Sequence, residues 1–374
     1  SQAVCPQAAV SNYWREVVSS NTNHAAIKTD GTLWVWGSNT FNQVTNVGST
    51  ATTYDIPVQI GTSNDWAQVS VGYECVYAIK TNGSLWVWGY NDKGRLGTGN
   101  TNSISVPTQL QPGTIWKWIN AGHEHAVGIK SDGSLWAWGG NTFGQLGTGN
   151  TSNSFTPVRI GTATTWNTVS AGLMHNLAIQ TNGTLWAWGS NSGYQIGDGT
   201  YLNRFTPVQI GTATNWKKVV AKSYVSVGVR SDGSLWGWGS TGFYHGAGTS
   251  SNSAPFRINP NQYWLDVHHG GSVMIALERS GVSYMAGQSF HFQNLKTDQF
   301  RYDTLTPISV RFQKYSLSSF AVLGIDSTGS VFGWGGLRGS NDSTVTRVVT
   351  RLTTANRELS VCKGSALTVG TVPS

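Results

Sequence analysis

Histidines, cysteines and loop aromatics are the side chains of this 374-residue chain whose types and spacing could support chemistry. His123 and His125 alternate along a strand-like stretch and so could share a face, and His268-His269 form a second pair. Two imidazoles on one face are half of a metal site. No Cys-x-x-Cys, His-Glu-x-x-His or calcium-loop spacing accompanies either pair, so neither a metal nor a cofactor is expected. His125 and His175 fall in a recurring slot, which argues for a structural hydrogen bond. Ser, His and Asp are plentiful, yet there is no Gly-x-Ser-x-Gly elbow, and the glycine-rich loops lack the Lys-Ser/Thr of a phosphate loop. No catalytic residue is assigned, and the chain is read as non-enzymatic.

Binding is the better-supported chemistry. A segment around residues 288–303 replaces a glycine-rich loop found elsewhere in the chain with Phe290, Phe292, Phe300 and Tyr302, interleaved with Lys296 and Arg301. Such a loop could contact a sugar ring or a protein partner, or it could fill the gap left by a degenerate unit. The net charge of +7 is uneven: residues 1–187 hold eight Lys/Arg against eight Asp/Glu, and residues 188–374 hold sixteen against nine. Lys217, Lys218 and Lys222 cluster there as a candidate basic patch, set against the plainer reading of scattered solvated charge. Of three cysteines, Cys75 stands in the His125/His175 slot and reads as a small core residue. Cys5 and Cys362 lie near opposite ends of the chain, where ring closure would bring them together. A bond between them would close a very long loop, worth about 3–5 kcal/mol in the chain-entropy model, and would favour an extracellular or virion setting.

The elements that must position these groups are repeats. Leu-Trp-x-Trp-Gly stands at residues 33–37, 85–89, 135–139, 185–189 and 235–239, and Val282–Gly287 and Val331–Gly335 continue the series. From the opening aromatics Trp14, Trp66, Trp116, Trp166, Trp216, Trp264 and Phe312 the distance to the second tryptophan slot is always 22 residues, so every length change falls in the loop that follows. Asp30-Gly31, Asn82-Gly83, Asp132-Gly133, Asn182-Gly183 and Asp232-Gly233 suit two-residue type I′ hairpins. A fourth strand is expected to begin after Pro57, Pro157 and Pro207, a placement compatible with an edge strand or a strand start. Four strands per period of about 50 residues give an all-β, seven-bladed β-propeller. It forms one domain over 1–374, with an N-terminal arm (1–13), seven units (14–352) and a closure segment (353–374). Residues 347–352 could supply a missing edge to the first unit. Seventeen of eighteen tryptophans fill repeating slots, among them Trp36, Trp88, Trp138, Trp188, Trp238 and Trp334, and read as structural core. Only Trp118 falls outside them.

Trp-x-x-Val-x-x-Gly, then His-x-x-Ala-Ile, then Asp-Gly-x-Leu-Trp-x-Trp-Gly, then Asn141-Thr142-Phe143-Gly144-Gln145-Leu146-Gly147, in fixed register along nearly the whole chain, resembles the regulator of chromosome condensation repeat family. The resemblance implies a seven-bladed propeller. The family's founding member is an exchange factor for the GTPase Ran that also docks on nucleosomes, and a plant relative is an ultraviolet-B photoreceptor. The near-uniform units, with few arginines beside the tryptophans, match neither activity closely. The Asn/Thr/Gly-rich style, with 11% charged residues, looks more like the prokaryotic and bacteriophage branch. That resemblance implies a binding or structural module displayed on a virion (tail, fibre or capsid decoration) or on a cell surface. It would meet other virion or surface proteins or a host glycan or receptor, as an oligomer within a larger assembly; nucleic acid and membrane insertion are not expected. The alternatives are an intracellular GTPase regulator or chromatin/DNA-binding scaffold, and a propeller glycosidase or lyase.

Overall fold

In the first unit the chain runs up an inner strand (Trp14–Ser19), back along a second (Asn23–Lys28), up a third (Leu33–Ser38) and back along an outer one (Thr53–Gln59). This meander repeats seven times. The computed structural model describes residues 13–44, 50–240, 251–288, 301–308, 311–319, 321–335 and 346–351, and among them stand 28 strands in seven antiparallel sheets, each of four consecutive strands.

Local chemistry sets each turn. Gly31 N donates to Lys28 O and Lys28 N to Thr32 O, both at 3.0 Å. Of the Asp30-Gly31 pair only the glycine has positive φ, at 83°. The loop is therefore a three-residue turn ending in a left-handed glycine, not the type I′ pair expected from sequence. Asp30 Oδ1 accepts the Thr32 amide at 2.9 Å in an Asx turn, and Asn82, Asp132, Asn182 and Asp232 do the same in later blades.

The outer strands begin before their prolines: Ser154–Arg159 contains Pro157 and Arg204–Gln209 contains Pro207. An edge strand tolerates the missing amide, so proline there is interior and not initial. Residues 346–351 pair with Val331–Gly335 and complete blade seven, while blade one carries its own outer strand. The expected loan of that segment to the first unit does not occur, because each unit's outer strand follows its Trp-Gly.

The core is a set of seven clusters, each between neighbouring blades. Trp66, Val76 and Trp88 of blade two pack on Ala25, Leu33 and Val35 of blade one, and Trp14, Val17 and Trp36 pack on Ala321, Leu323 and Val331 to close blade seven on blade one. Trp36, Trp88, Trp138, Trp188 and Trp238 are at most 1% exposed. Trp334 stands at the same place of its third strand, Val331–Gly335. Each such indole withdraws about 150–250 Å² from water. Trp88, Trp188 and Trp238 also donate Nε1–H to a carbonyl of the preceding blade's loop, at Gln43 (2.9 Å), Gln145 (3.0 Å) and Gln195 (3.0 Å). Replacing Trp188 by Ala is expected to cost about 3–5 kcal/mol in guanidinium unfolding. Trp118→Ala, outside the repeated slots, should cost less than about 2 kcal/mol; equal losses would mean that both serve the core alike.

Candidate functional site: the central channel and its mouths

The inner strands surround a channel, and a bulge decides which side chains enter it. In six blades the pairing slips one residue after the opening aromatic, as between Trp216 and Lys218. The slip lets the aromatic and the residue three further on both face the blade core, as Trp216 and Val219 do. The second, fourth and sixth positions after the aromatic then face the channel, a cavity of about 590 Å³.

At the second position the blades carry Glu16, Gln68, Trp118, Thr168, Lys218, Asp266 and Lys314. The core slots repeat and this one varies. Gln68 and Trp118 are turned onto the next blade: Gln68 Nε2 donates to Ile119 O at 3.1 Å, and Trp118 Nε1 to Val169 O at 3.0 Å. Lys314 Nζ donates to Arg15 O at 2.7 Å across the closure. One wall holds a Lys218–Asp266 ion pair with His268 against it: Asp266 Oδ1 accepts from Lys218 Nζ at 2.5 Å, and Oδ2 lies 3.0 Å from His268 Nε2, an imidazole whose pKa burial lowers. Burial opposes ionisation of Asp266, but His268 and the Lys218 ammonium outweigh it and hold the carboxyl well below the usual range. Burial lowers the Lys218 ammonium, with Asp266 opposing. Glu16 has no such partner: burial raises it to about 7 against the charges of Arg15 and Lys314.

The opposite mouth is formed by the turns between inner and second strands and is narrower, about 70 Å³, lined among others by Asn21, Tyr73, His123, Lys222, Ser223 and Ser319. Around it stand Glu74 and Glu124, with carboxylates turned outward, Glu74 Oε1 accepting from Ser38 Oγ at 3.2 Å and Glu124 Oε2 lying beside Gly140. Tyr73 and Tyr224 are 37% and 47% exposed.

The sequence-derived residues fall as follows. Lys217, Lys218 and Lys222 lie along one inner strand and all three line the channel: Lys217 is exposed and reaches Leu265 O (3.4 Å), Lys218 is paired with Asp266, and Lys222 also lines the narrow mouth. His123 belongs to a turn and packs against Tyr73 (4.7 Å), while His125 opens the second strand and is buried, so the two do not share a strand face. His125 Nε2 meets Asn176 Oδ1 at 2.8 Å and His175 Nε2 meets Ser226 Oγ at 3.0 Å, which are hydrogen bonds between blades. His268 faces the channel and His269 is buried. No group of three or more metal-ligating side chains occurs among the described residues. Cys75 is buried and free. Phe290, Phe292, Lys296, Phe300, Cys5 and Cys362 lie outside the described residues; Arg301 and Tyr302 begin an outer strand opposite Gln288 and Gly287. Glu16 and Asp266 were missed as site residues, and His268 was weighed only as half of a metal pair, although alignment of the seven units at the second and fourth positions would have picked out all three.

Folded Glu16 keeps its proton to about pH 7, whereas the unfolded carboxyl releases it near 4.5. The native state therefore binds more protons across that window, and this contribution to stability is lost as pH rises through it. His125 and His175, lowered by burial to about 4 and about 3, act oppositely and destabilise the fold as pH falls below 6.5. Glu16→Gln isolates the first effect: its melting temperature relative to the parent should rise between pH 5 and pH 8, and a constant difference would mean that Glu16 titrates as a solvated acid.

Comparison with known proteins follows this geometry. The family model for the regulator of chromosome condensation (RCC1) repeat matches residues 30–79, 82–129, 132–179 and 182–229, which together make just over half of the chain. Human WBSCR16 superposes with a TM-score of 0.76 at 17% identity, covering 86% of this chain and 94% of that one. Yeast RCC1 (Prp20), in its complex with Kap60, gives 0.73 at 17%, covering 91% and 85%. Prp20p from Saccharomyces cerevisiae, in a study of its binding to Gsp1p and histones, gives 0.72 at 18%, covering 90% and 87%. At these identities the likeness establishes the ring and not its partners. A ring of seven four-stranded blades, sealed by tryptophans in the repeat's own register, places this chain in the regulator of chromosome condensation repeat family.

Proposed function

We propose that the protein is a non-enzymatic recognition propeller that docks a protein partner on the narrow-mouth face, in the manner of a GTPase regulator or chromatin-protein scaffold. The observation that carries this reading is the contrast between slots. Core positions repeat blade after blade, whereas the turns of this face read Asn21-Thr22, Tyr73-Glu74, His123-Glu124, Leu173-Met174 and Ser223-Tyr224. A repeat scaffold with a diversified rim is built for recognition. Tyr73 and Tyr224 supply exposed aromatic anchors, and Glu74 and Glu124 supply a negative edge suited to a basic surface. Proteins of similar structure bind protein partners: yeast RCC1 (Prp20) is bound to Kap60, and Prp20p was studied for its binding to Gsp1p and histones.

Purified histones, and a Ran-like GTPase assayed for nucleotide release, are the probes. Binding or accelerated release is expected, weakened about tenfold or more by Glu74→Lys with Glu124→Lys, and likewise by Tyr73→Ala with Tyr224→Ala. Activity toward neither probe, or activity indifferent to all four changes, removes this reading. The second reading, display on a virion or cell surface, is favoured by the 11% charged, Asn/Thr/Gly-rich composition. Fractionation of the source cells and of any released particles separates the two: protein confined to particles or envelopes selects display.

A further inference from the structure

Only blade five carries a charge where the channel narrows. The sixth residue after the opening aromatic is Gly72, Gly122, Gly172 and Gly270 in blades two, three, four and six, Ser20 and Ser318 in blades one and seven, and Lys222 in blade five. The glycines are required by crowding. A Cβ on Gly122 would stand 2.3 Å from His125 Cε1 and 2.8 Å from Gly172 O, and one on Gly72 would stand 2.8 Å from Cys75 Sγ. Blade five changes both members of the contact. Val225 replaces the histidine, and the strand pair extends by one rung so that Lys222 lies opposite Val225. The change brings a cation into the mouth, where it lines the narrow opening and the channel alike.

Nothing among the described residues answers that cation. The Lys222 ammonium has no hydrogen-bond acceptor or ion-pair partner there, and no Asp or Glu lines the mouth. Burial alone acts on it and lowers its pKa. His123 lines the same mouth, and its Nδ1 is buried with no partner among the described residues. A cation at the mouth that meets no acceptor among the described residues serves no contact within the fold, and a fold under no other demand would carry at residue 222 the small residue of the other six blades. Ser223 and Asn21 add a hydroxyl and an amide around the same opening.

We propose that the narrow mouth is a binding site for a small anion-headed molecule, a carboxylate or a phosphate, held by Lys222 Nζ, with His123 lining the same opening. The head group supplies the acceptors that the mouth lacks, and the channel behind leaves room for the remainder of the ligand. Nothing in this assignment depends on which protein docks on the rim.

The test is isothermal titration of the full chain with inorganic phosphate and, separately, with acetate, in low-chloride buffer. Saturable binding of one anion per chain is expected, and the anion that saturates identifies the head group. Lys222→Gln should weaken binding about tenfold or more, whereas Lys217→Gln, an exposed change on the same strand, should alter it by less than about twofold. Thermal unfolding guards against a misfolded variant. Lys222→Met should fold and melt close to the parent without anion, while added anion should raise the melting temperature of the parent and not of the variant. Saturation by neither anion at millimolar concentration, or equal binding by parent and Lys222→Gln, overturns the assignment.

Discussion

Everything in this molecule depends on the wedge that an indole makes between two blades. The second tryptophan of each well-formed unit is almost wholly buried, and in blades two, four and five its Nε1–H also reaches the carbonyl of the preceding blade's loop, at Gln43, Gln145 and Gln195. One side chain thus supplies bulk for the gap between splayed sheets and a directional bond that sets how far apart they stand. Two of the loops that receive the bond are themselves held by an asparagine: Asn141 donates to Asn150 O and Ser152 O and accepts from Leu146 N, and Asn191 does the same in its blade. The segment from Asn141 to Gly147 and its counterpart from Asn191 to Gly197 are therefore seats of the next blade's tryptophan.

Because the wedges and their seats hold the ring, the inner strands are left with little structural duty on their channel side. Part of that freedom is spent on stitching, through Gln68, Trp118, Asn120 and Ser170, whose side chains bond the backbone of the following inner strand. The remainder appears as ionisable groups: the Lys218–Asp266 pair with His268 on one wall, Glu16 with no ion pair among the described residues, and Lys222 at the narrow end. Seven-fold structural symmetry thus surrounds a channel whose chemistry has no symmetry, and that mismatch separates scaffold from site.

The fold was legible because its signals are local. A hairpin and its turn lie within about twenty residues, so period, strand order and buried slots can be counted along the chain. The details that failed depend on geometry finer than residue type. Asp-Gly can close a two-residue or a three-residue loop, and the Asx bond from Thr32 accompanies the second. His123 and His125 are two apart in a strand-like stretch, but the turn ends between them. Trp118, singled out because it fits no slot, lies in the channel. Lys217, Lys218 and Lys222 read from sequence as a surface cluster, whereas the inner strand lays them along the wall of the channel.

By itself, then, the sequence determined the number of blades, the four-strand meander and the identity of the packing residues, since each is written as a repeat within a short stretch of chain. Only the tertiary structure decided which of the unrepeated residues meet. Glu16, Lys218 and Asp266 are separated by up to 250 residues and become neighbours of one cavity because seven bulged strands converge on a common axis. A contact of that kind is a property of ring closure, and no local pattern encodes it.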